Sequence, residues 1–428
     1  MDQFIVSGGR PLRGRVRVSG SKNAALPILI STLLTDVPCV IDNVPDLRDI
    51  HTTLRLIEQL GKRVEWIGST VRVRVARPLG TAAPYDLVKQ MRASILVAGP
   101  LLARRRRARV ALPGGCAIGL RPIDIHLAGF RRMGVGVSFS HGDVVLRTRR
   151  LRPADIRLRF PSVGATENLM MAAAGIPGTT VIRNAAREPE IVDLARFLES
   201  LGACVIGAGG AVVRVDGAAR LGGARHSVIA DRIETGTLLI ACLAAGGNIR
   251  VEGAGGEHLR AVLDALARAG AKVREEDGGI RITAAGRPRP VSIRTRPYPG
   301  FPTDLQAPWM AAMSVGRGRS RIREEIFEKR FLHAAELGRM GAWIRTDGEI
   351  ADLEGVPRLH GAPVMASDIR AGAALLVAAV AARGRSEIHR VYHIDRGYER
   401  VEVKLRALGV RIRRVNPEKS SARAQLPS

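Results

Sequence analysis

The chain has 428 residues, of which 46% are hydrophobic and 25% are charged. This balance is typical of a globular protein with two or three domains, and it excludes a fibrous or fully disordered chain. No apolar run reaches the roughly 18 residues of a membrane helix, and the N-terminus lacks the pattern of a secretory signal.

The chain is strongly basic, with 67 Lys and Arg residues against 40 Asp and Glu residues and a formal net charge of +27. Such a charge suits a nucleic acid, a membrane surface or an anionic small molecule as partner. The densest run, Ala103–Arg109, contains no aromatic residue for base stacking. We therefore predict a solvated loop there and no nucleic-acid partner. A nucleic-acid binder, the alternative, would lose affinity steeply as salt rises.

The four cysteines show neither CxxC spacing nor a histidine cluster, so we expect no zinc site and no disulfide framework. Cys39, Cys204 and Cys242 lie in apolar stretches, where we expect buried, inert thiols. Cys116 lies instead in the glycine-rich stretch "LPGGCAIGLRP" (residues 112–122), and such a loop can move a thiol over a ligand. Unpaired thiols indicate a reduced, cytoplasmic protein.

In chain order, one pattern of elements occurs six times: an apolar helix rich in Ala, a strand, an amphipathic helix that ends at Gly, and another strand. The first helices begin at "SKNAALPILISTLL", "MRASILVAGPLLA", "SVGATENLMMAAA", "DRIETGTLLIACLAA", "PTDLQAPWMAAMS" and "SDIRAGAALLVAAVAA". The second helices end at Gly61, Gly134, Gly202, Gly270, Gly341 and Gly409, which are 68 to 73 residues apart. Glycine is the usual left-handed residue after a helix, and helices that are apolar on all sides are buried.

These repeats predict an α/β protein of two domains, each with three modules wrapped around internal helices, which amounts to an inside-out α/β barrel. We predict one domain over residues 21–229 and a discontinuous one over residues 1–20 plus 230–415. The first strand then joins the last domain. Residues 416–428 are predicted to be a polar tail.

Charged and polar residues stand at the start of every first helix. They are Lys22, Asn23, Arg92, Ser162, Thr166, Asp231, Arg232, Asp304, Asp368 and Arg370. The acids and serine are ordinary N-cap residues. The cations oppose the helix dipole, and a bound anion would remove that conflict. We therefore predict a polyanion site in a cleft between the domains.

Seven motifs resemble one family along the chain, from about residue 5 to residue 415. They are "SGSKNAALPIL", "PGGCAIGLRPIDIH", "PSVGATEN", "NAAREPEIVDLARFL", "DRIETGT", "FPTDLQA" and "YHIDRGYERVEVKLRALG". Together they resemble the UDP-N-acetylglucosamine 1-carboxyvinyltransferases, which are enolpyruvyl transferases. The resemblance implies transfer of the enolpyruvyl group of phosphoenolpyruvate to the 3′-hydroxyl of UDP-N-acetylglucosamine, with phosphate release through a tetrahedral ketal. It implies small-molecule substrates and neither a metal nor an organic cofactor.

The resemblance also implies roles for individual residues. Asp304 matches the carboxylate at the sugar hydroxyl, and Cys116 matches the proton donor that can form a covalent adduct; Lys22 and Arg396 complete the catalytic set. The residues implied at phosphoenolpyruvate are Lys22, Asn23, Arg121, Arg330, Arg370 and Arg396. Those implied at the sugar nucleotide are Arg92, Arg121, Pro122, Ile123, Asp124, Ile125, Ser162, Val163, Gly164, Asp304 and Ile326.

Two alternatives stay open at this point. The 5-enolpyruvylshikimate-3-phosphate synthases share the six-module fold but lack the "PGGC" and "RPIDIH" segments. A paralogue acting on another nucleotide is the other alternative, because Phe160 and Lys329 depart from the residues common in relatives. The oligomeric state is left open by the sequence.

Overall fold

The computed structural model describes residues 2–88, 91–111 and 123–416, without the side chain of Arg92. The predictions made for Cys116, Arg121 and Pro122, and for nearly all of the polar tail, lie outside the described residues.

The described residues form short strands and helices in regular alternation. The strands are β1 (Gln3–Ser7), β2 (Leu12–Arg17), β3 (Cys39–Asp42), β4 (Lys62–Ile67), β5 (Thr70–Val75), β6 (Ala82–Ala83), β7 (Arg107–Ala111), β8 (Gly136–Ser140), β9 (Asp143–Arg147), β10 (Asp155–Arg157), β11 (Gly178–Arg183), β12 (Cys204–Ile206), β13 (Val212–Gly217), β14 (Arg225–Ser227), β15 (Gly247–Glu252), β16 (Lys272–Glu276), β17 (Gly279–Ala284), β18 (Ile293–Arg294), β19 (Arg319–Arg323), β20 (Trp343–Asp347), β21 (Ile350–Glu354), β22 (Pro363–Met365), β23 (Arg385–His389) and β24 (Arg411–Val415). The helices are α1 (Lys22–Ser31), α2 (Arg48–Gln59), α3 (Tyr85–Val88), α4 (Ala98–Arg105), α5 (Asp124–Arg132), α6 (Val163–Ala174), α7 (Pro189–Ser200), α8 (Arg232–Ala245), α9 (Arg260–Arg268), α10 (Gln306–Met313), α11 (His333–Arg339), α12 (Ile369–Ala381) and α13 (Val401–Ala407).

Six four-stranded sheets repeat a single topology. Their strand orders are β14-β3-β5-β4, β6-β7-β9-β8, β10-β11-β13-β12, β2-β15-β17-β16, β18-β19-β21-β20 and β22-β23-β1-β24. In each sheet the first strand is parallel to the second, and the other two pairings are antiparallel. The predicted α/β fold with six repeated modules is confirmed.

The chain divides into two compact units, which we call the split unit (residues 2–19 and 230–416) and the continuous unit (the described residues between 20 and 229). Each unit contains three of the six sheets. In the split unit β1 lies between β23 and β24, so the first strand pairs with the end of the chain.

The first helix of each module is mostly buried, although α4 is exposed at its end, Arg105. In the split unit these are α8, α10 and α12, and all eight residues of α10 are buried. In the continuous unit α1 has nine of its ten residues buried, and α4 and α6 complete the set. Each unit therefore places these helices inside and the sheets outside, because predominantly apolar helices can lose water on every face.

All six glycines predicted to end the second helices have positive φ angles, between 84° and 115°. A side chain is strained in that region, whereas glycine is not. The turn from helix to strand at each module is therefore fixed by local sequence.

The helix starts agree with the N-cap interpretation in part. Ser21, Ser162, Asp231 and Asp368 each accept a hydrogen bond from a backbone N–H in the first turn. Asp304 does not cap a helix, since it lies inside the 3₁₀ turn Thr303–Leu305. The interpretation of Asp304 as an N-cap was therefore wrong.

The expectation for Cys204 was also wrong. Cys39 and Cys242 are buried, but Cys204 is exposed. Successive residues of a strand point to opposite faces, and in β12 only Val205 points inward. Cys204 therefore points to the exposed face of β12, although its neighbour in sequence, Val205, is apolar and buried.

Candidate active site

Two arginine side chains of the split unit meet at one carboxylate, that of Asp304. Nη2 of Arg330 lies 2.8 Å from Oδ1 of Asp304, and Nη2 of Arg370 lies 2.8 Å from Oδ2. Arg330 is 6% exposed and Arg370 is 7% exposed. Charge-assisted hydrogen bonds of this kind are short and strong. The structure thus brings together residues that are 26 and 66 positions apart in sequence.

Arg370 is held from its other side by a chain of hydroxyl groups. Its Nη1 donates to the hydroxyl of Tyr398 at 3.3 Å, and that hydroxyl lies 3.0 Å from Oγ1 of Thr237. Burial by itself would lower the pKa of Arg370, but Asp304 and Tyr398 outweigh it and raise the pKa. Arg370 is therefore a fixed cation.

Arg330 lies just before α11 and its guanidinium lies 5.2 Å from the centre of the Phe327 ring. The nearby acid Glu328 would be the ordinary surface partner for an arginine at this position. The structure instead pairs Arg330 with Asp304 and buries its side chain.

Nearby, the backbone N–H groups of Ile326 and Phe327 donate to Oε1 of Glu324 at 2.9 and 3.1 Å. The hydroxyl of Thr303 donates to the other oxygen of Glu324 at 2.9 Å. Glu324 therefore connects the loop that contains Ile326 to the 3₁₀ turn that contains Asp304.

Two glycines in the buried helices leave space for the turns that contain candidate residues. A Cβ at Gly236 of α8 would lie 2.3 Å from Cδ1 of Leu305, the neighbour of Asp304. A Cβ at Gly372 of α12 would lie 2.5 Å from Cγ1 of Ile394. Ile394 lies in the same 3₁₀ turn, Val391–Arg396, as the candidate residue Arg396. These contacts leave no room for a larger residue, so the glycines set the positions of both turns.

In the continuous unit, Lys22 is the first residue of α1 and its Nζ lies 3.5 Å from Oδ2 of Asp49. Lys22 is 8% exposed and Asp49 is 6% exposed. A protein carboxylate therefore balances this cation, as Asp304 balances Arg370. For Lys22 and Arg370, the conflict between a cation and the helix dipole is therefore resolved inside the protein, and by itself it does not require a bound anion.

The starts of α5 and α6 lie side by side in the continuous unit. A Cβ at Gly164 would lie 3.3 Å from Cε1 of His126. The amide of Asn168 donates to Nδ1 of His126 at 3.1 Å and to the carbonyl of Ile95 at 3.0 Å, while its oxygen accepts from the Gly99 N–H at 2.7 Å. Burial lowers the pKa of His126 to about 4, so a neutral imidazole lies beneath this end of the unit.

The remaining sequence-predicted residues of this unit cluster at the same helix starts. Ile123 precedes α5, Asp124 and Ile125 begin it, and Asp124 pairs with Arg159. Ser162 accepts from the Ala165 N–H at 3.3 Å, and Val163 and Gly164 are the first residues of α6.

Three other predicted residues are placed by their backbone. Asn23 is the half-buried second residue of α1, and Arg92 begins the 3₁₀ turn Arg92–Val97. Arg396 ends the 3₁₀ turn Val391–Arg396 and is half-buried.

Sequence reasoning missed Tyr398, Thr237 and Asp49. Each lies within or beside a quoted motif or helix start, but its role shows only in its contact with Arg370, Tyr398 or Lys22. Among the described residues, no group of three or more His, Cys, Asp or Glu side chains is arranged to hold a metal ion. None of the described helices is both long and apolar enough to span a membrane.

Comparison with known proteins identifies the family. The model of the family described as EPSP synthase (3-phosphoshikimate 1-carboxyvinyltransferase) matches residues 6–405. The chain belongs to the EPSP synthase family.

Within the EPSP synthase family, the chain is similar to enzymes named UDP-N-acetylglucosamine 1-carboxyvinyltransferase. The relative from Elusimicrobium minutum is 53% identical over 422 residues, which cover 98% of this chain and 100% of the relative. That from Nitratidesulfovibrio vulgaris strain Hildenborough is 51% identical over 415 residues, covering 97% and 99%.

Two solved structures have the same fold as this chain. The enolpyruvyl transferase NikO from Streptomyces tendae matches with a TM-score of 0.88 and 26% identity, covering 97% of this chain and 99% of that one. EPSP synthase from Acinetobacter baumannii matches with a TM-score of 0.73 and 16% identity, covering 97% and 100%. The latter likeness concerns the fold alone.

Proposed function

We propose that this chain transfers the enolpyruvyl group of phosphoenolpyruvate to the 3′-hydroxyl of UDP-N-acetylglucosamine and releases phosphate. The supporting observation is the identity of about half of all residues, over nearly the full length, to relatives named for this activity. The alternative of a shikimate 3-phosphate enzyme is not favoured, because the EPSP synthase structure is only 16% identical.

Asp304 is the proposed base for the sugar hydroxyl. Its two carboxylate oxygens accept hydrogen bonds from Arg330 and Arg370. These arginines are also the proposed ligands of the phosphoenolpyruvate carboxylate. Substrate binding would therefore replace Asp304 on one or both guanidiniums and leave Asp304 able to accept the hydroxyl proton.

The addition step forms a bond between the sugar 3′-oxygen and C2 of phosphoenolpyruvate, while Cys116 delivers a proton to C3. In the elimination step the bond from C2 to the phosphate oxygen breaks, C3 returns a proton to the Cys116 thiolate, and phosphate leaves. Lys22, Arg121 and Arg396 are the proposed cations at the phosphate, with Asn23 beside them. Cations placed where charge develops lower the barrier without reorganisation.

The nucleotide is proposed to bind at the helix starts of the continuous unit. The residues are Arg92, Arg121, Pro122, Ile123, Asp124, Ile125, Ser162, Val163 and Gly164, together with Asp304 and Ile326. Backbone N–H groups at helix starts suit phosphate oxygens, which supports this assignment for α5 and α6.

The decisive experiment is phosphate release from phosphoenolpyruvate with Asp304→Asn. The amide keeps the shape but cannot accept a proton, so turnover should fall by roughly 100-fold or more while UDP-N-acetylglucosamine binding persists. The wild-type chain serves as reference, and omission of UDP-N-acetylglucosamine should abolish release. Activity of the variant within a few-fold of wild type would contradict the role of Asp304. Wild-type release that does not need UDP-N-acetylglucosamine would contradict the proposed acceptor.

Cys116 is the proposed site of reaction with fosfomycin, an epoxide that mimics phosphoenolpyruvate. Neighbouring cations lower a thiol pKa and increase the reactive thiolate fraction. Burial instead raises the pKa of the Cys242 thiol to about 12. Peptide mapping should find a single adduct on Cys116, with loss of activity, and an adduct on Cys39, Cys204 or Cys242 would refute the assignment.

At the level of the cell, the proposed reaction is the first committed step of peptidoglycan precursor synthesis. Under this proposal the chain acts in the cytoplasm, and its loss impairs cell-wall formation, cell shape and cell division. Depletion of the chain should therefore produce osmotically fragile cells, and normal cell walls after full depletion would count against this role.

A further inference from the structure

A row of four arginines crosses the outer face of one sheet in the split unit. In the register of β2, β15, β17 and β16, Arg15 lies opposite Arg250, Arg250 opposite Arg281, and Arg281 opposite Arg274. Paired residues point to the same face, and the alternate residues Ile249 and Ile282 are buried. Like charges directly opposite each other destabilise a sheet unless acids balance them, and here, among the described residues, Glu276 pairs with Arg250 and Arg281 only.

The equivalent sheet of the next module does not contain such a row. There Arg321 lies opposite Asp352, which lies opposite Arg345. The Arg321 guanidinium donates to both oxygens of Asp352, at 2.7 and 3.1 Å. The same fold therefore accommodates alternating charges at these positions, and the arginine row is a property of this one sheet.

The row borders a cavity of about 1110 Å³, which we call the arginine cavity. Among the described residues that line it, none has an acidic or aromatic side chain. Six are arginines: Arg13, Arg15, Arg250, Arg281, Arg287 and Arg358. The last residues of α8 and α12, Ala245 and Ala381, and Val315 just beyond α10 also line it.

Three of the six arginines bind other groups of the protein. Arg250 and Arg281 share Glu276, at 3.5 and 2.5 Å. Arg287 donates to the carbonyl groups of Val315, Gly316 and Gly355, where a cation favourably meets the helix dipole.

The other three arginines, Arg13, Arg15 and Arg358, are exposed. Their side chains make no hydrogen bond or ion pair within the described part of the chain. They come from two separate segments, one strand and one loop, and converge on the same cavity. Three guanidiniums without a protein partner in the described part of the chain therefore border one concave space.

We propose that the arginine cavity binds a small soluble molecule with two or more linked phosphates. Guanidinium forks match phosphate oxygens in bidentate geometry. The cavity is larger than a single phosphate requires, and its concave form suits a small molecule. The absence of aromatic side chains from the described lining disfavours stacked nucleic-acid bases.

This site is separate from the Asp304 cluster. Helix α8 runs from Arg232 to Ala245, and at about 1.5 Å per residue its ends are roughly 20 Å apart. Leu305 packs near Gly236 in the first half of α8, whereas Ala245 lines the arginine cavity. Binding there therefore adds to the proposed enolpyruvyl transfer and can be measured without it.

The test is calorimetric titration of tripolyphosphate into the full chain near physiological ionic strength. The double variant Arg13→Ala/Arg15→Ala removes two uncommitted guanidiniums on β2 and should weaken one class of site by about 100-fold, since each charge-assisted contact contributes about tenfold. Arg358→Ala should weaken the same site about tenfold. The matched control is Arg411→Ala/Arg413→Ala, which removes two exposed arginines at the same spacing on β24 and should bind like wild type.

The outcomes separate the proposal from its alternatives. Weaker tripolyphosphate binding in the β2 double variant and in Arg358→Ala, but not in the β24 control, supports the proposal. Equal titrations of wild type and the β2 variant, or equal weakening in the β24 control, overturn it. Orthophosphate that binds as tightly as tripolyphosphate overturns the requirement for linked phosphates. A decaglutamate peptide or a short oligonucleotide that binds this site more tightly than tripolyphosphate overturns the ligand class.

Discussion

Replacement of Tyr398 by Phe isolates the hydroxyl that fixes Arg370. The ring is 2% exposed, and the guanidinium of Arg370 lies 5.9 Å from its centre, so Phe preserves packing. The change removes the acceptor for Nη1 of Arg370 at 3.3 Å. Thr237 stays satisfied because its hydroxyl donates to the Ile233 carbonyl at 2.8 Å.

A hydrogen bond to a buried charged group contributes about 1.5–3 kcal/mol. We therefore expect the free energy of unfolding in urea to fall by about 2 kcal/mol. The freed guanidinium is less well oriented, so the KM for phosphoenolpyruvate should rise about tenfold, with a smaller change in kcat. Thr237→Val is the control, and it should change both quantities less. A loss of unfolding free energy below about 0.5 kcal/mol, with an unchanged KM, would refute the role of Tyr398.

Three further predictions concern single residues. Burial lowers the pKa of His126 to about 4 against about 6.5 when unfolded, so its contribution to stability is complete above pH 6.5 and is lost as the pH falls towards 4. At pH 5 the loss in the free energy of unfolding is about 2 kcal/mol. Between pH 7.5 and pH 5, the free energy of unfolding in urea should therefore fall less for His126→Gln than for the wild type, and an equal fall in both would contradict this. Gly236→Ala should displace Leu305, lower kcat about tenfold and cost about 1–3 kcal/mol, whereas Gly338→Ala, whose Cβ meets nothing within 4 Å, should leave kcat unchanged; similar kcat values for the two variants would argue against displacement. Iodoacetamide should alkylate exposed Cys204 in the folded chain and leave buried Cys39 and Cys242 unmodified, as checked by peptide mass mapping.

Much of the fold follows from local sequence. The spacing of the six glycines predicted six modules, and each glycine occupies the left-handed conformation that a side chain would strain. The apolar composition of the first helices predicted that they are buried, since a helix that is apolar on every face is unstable in water. The candidate residues were named from motifs, and those motifs depend only on residues that are adjacent in the chain.

Tertiary structure decided which of these residues meet. Nothing in "FPTDLQ" shows that Asp304 is bound by two arginines from distant segments, or that Tyr398 holds one of them. The exposure of Cys204 depends on which face of β12 turns inward, and the arginine row depends on the register of four strands. Helix caps and periodicity act within a few residues and can be read from the sequence. The partner of a charge and the register of a sheet are set by packing between segments far apart, so only the folded chain determines them.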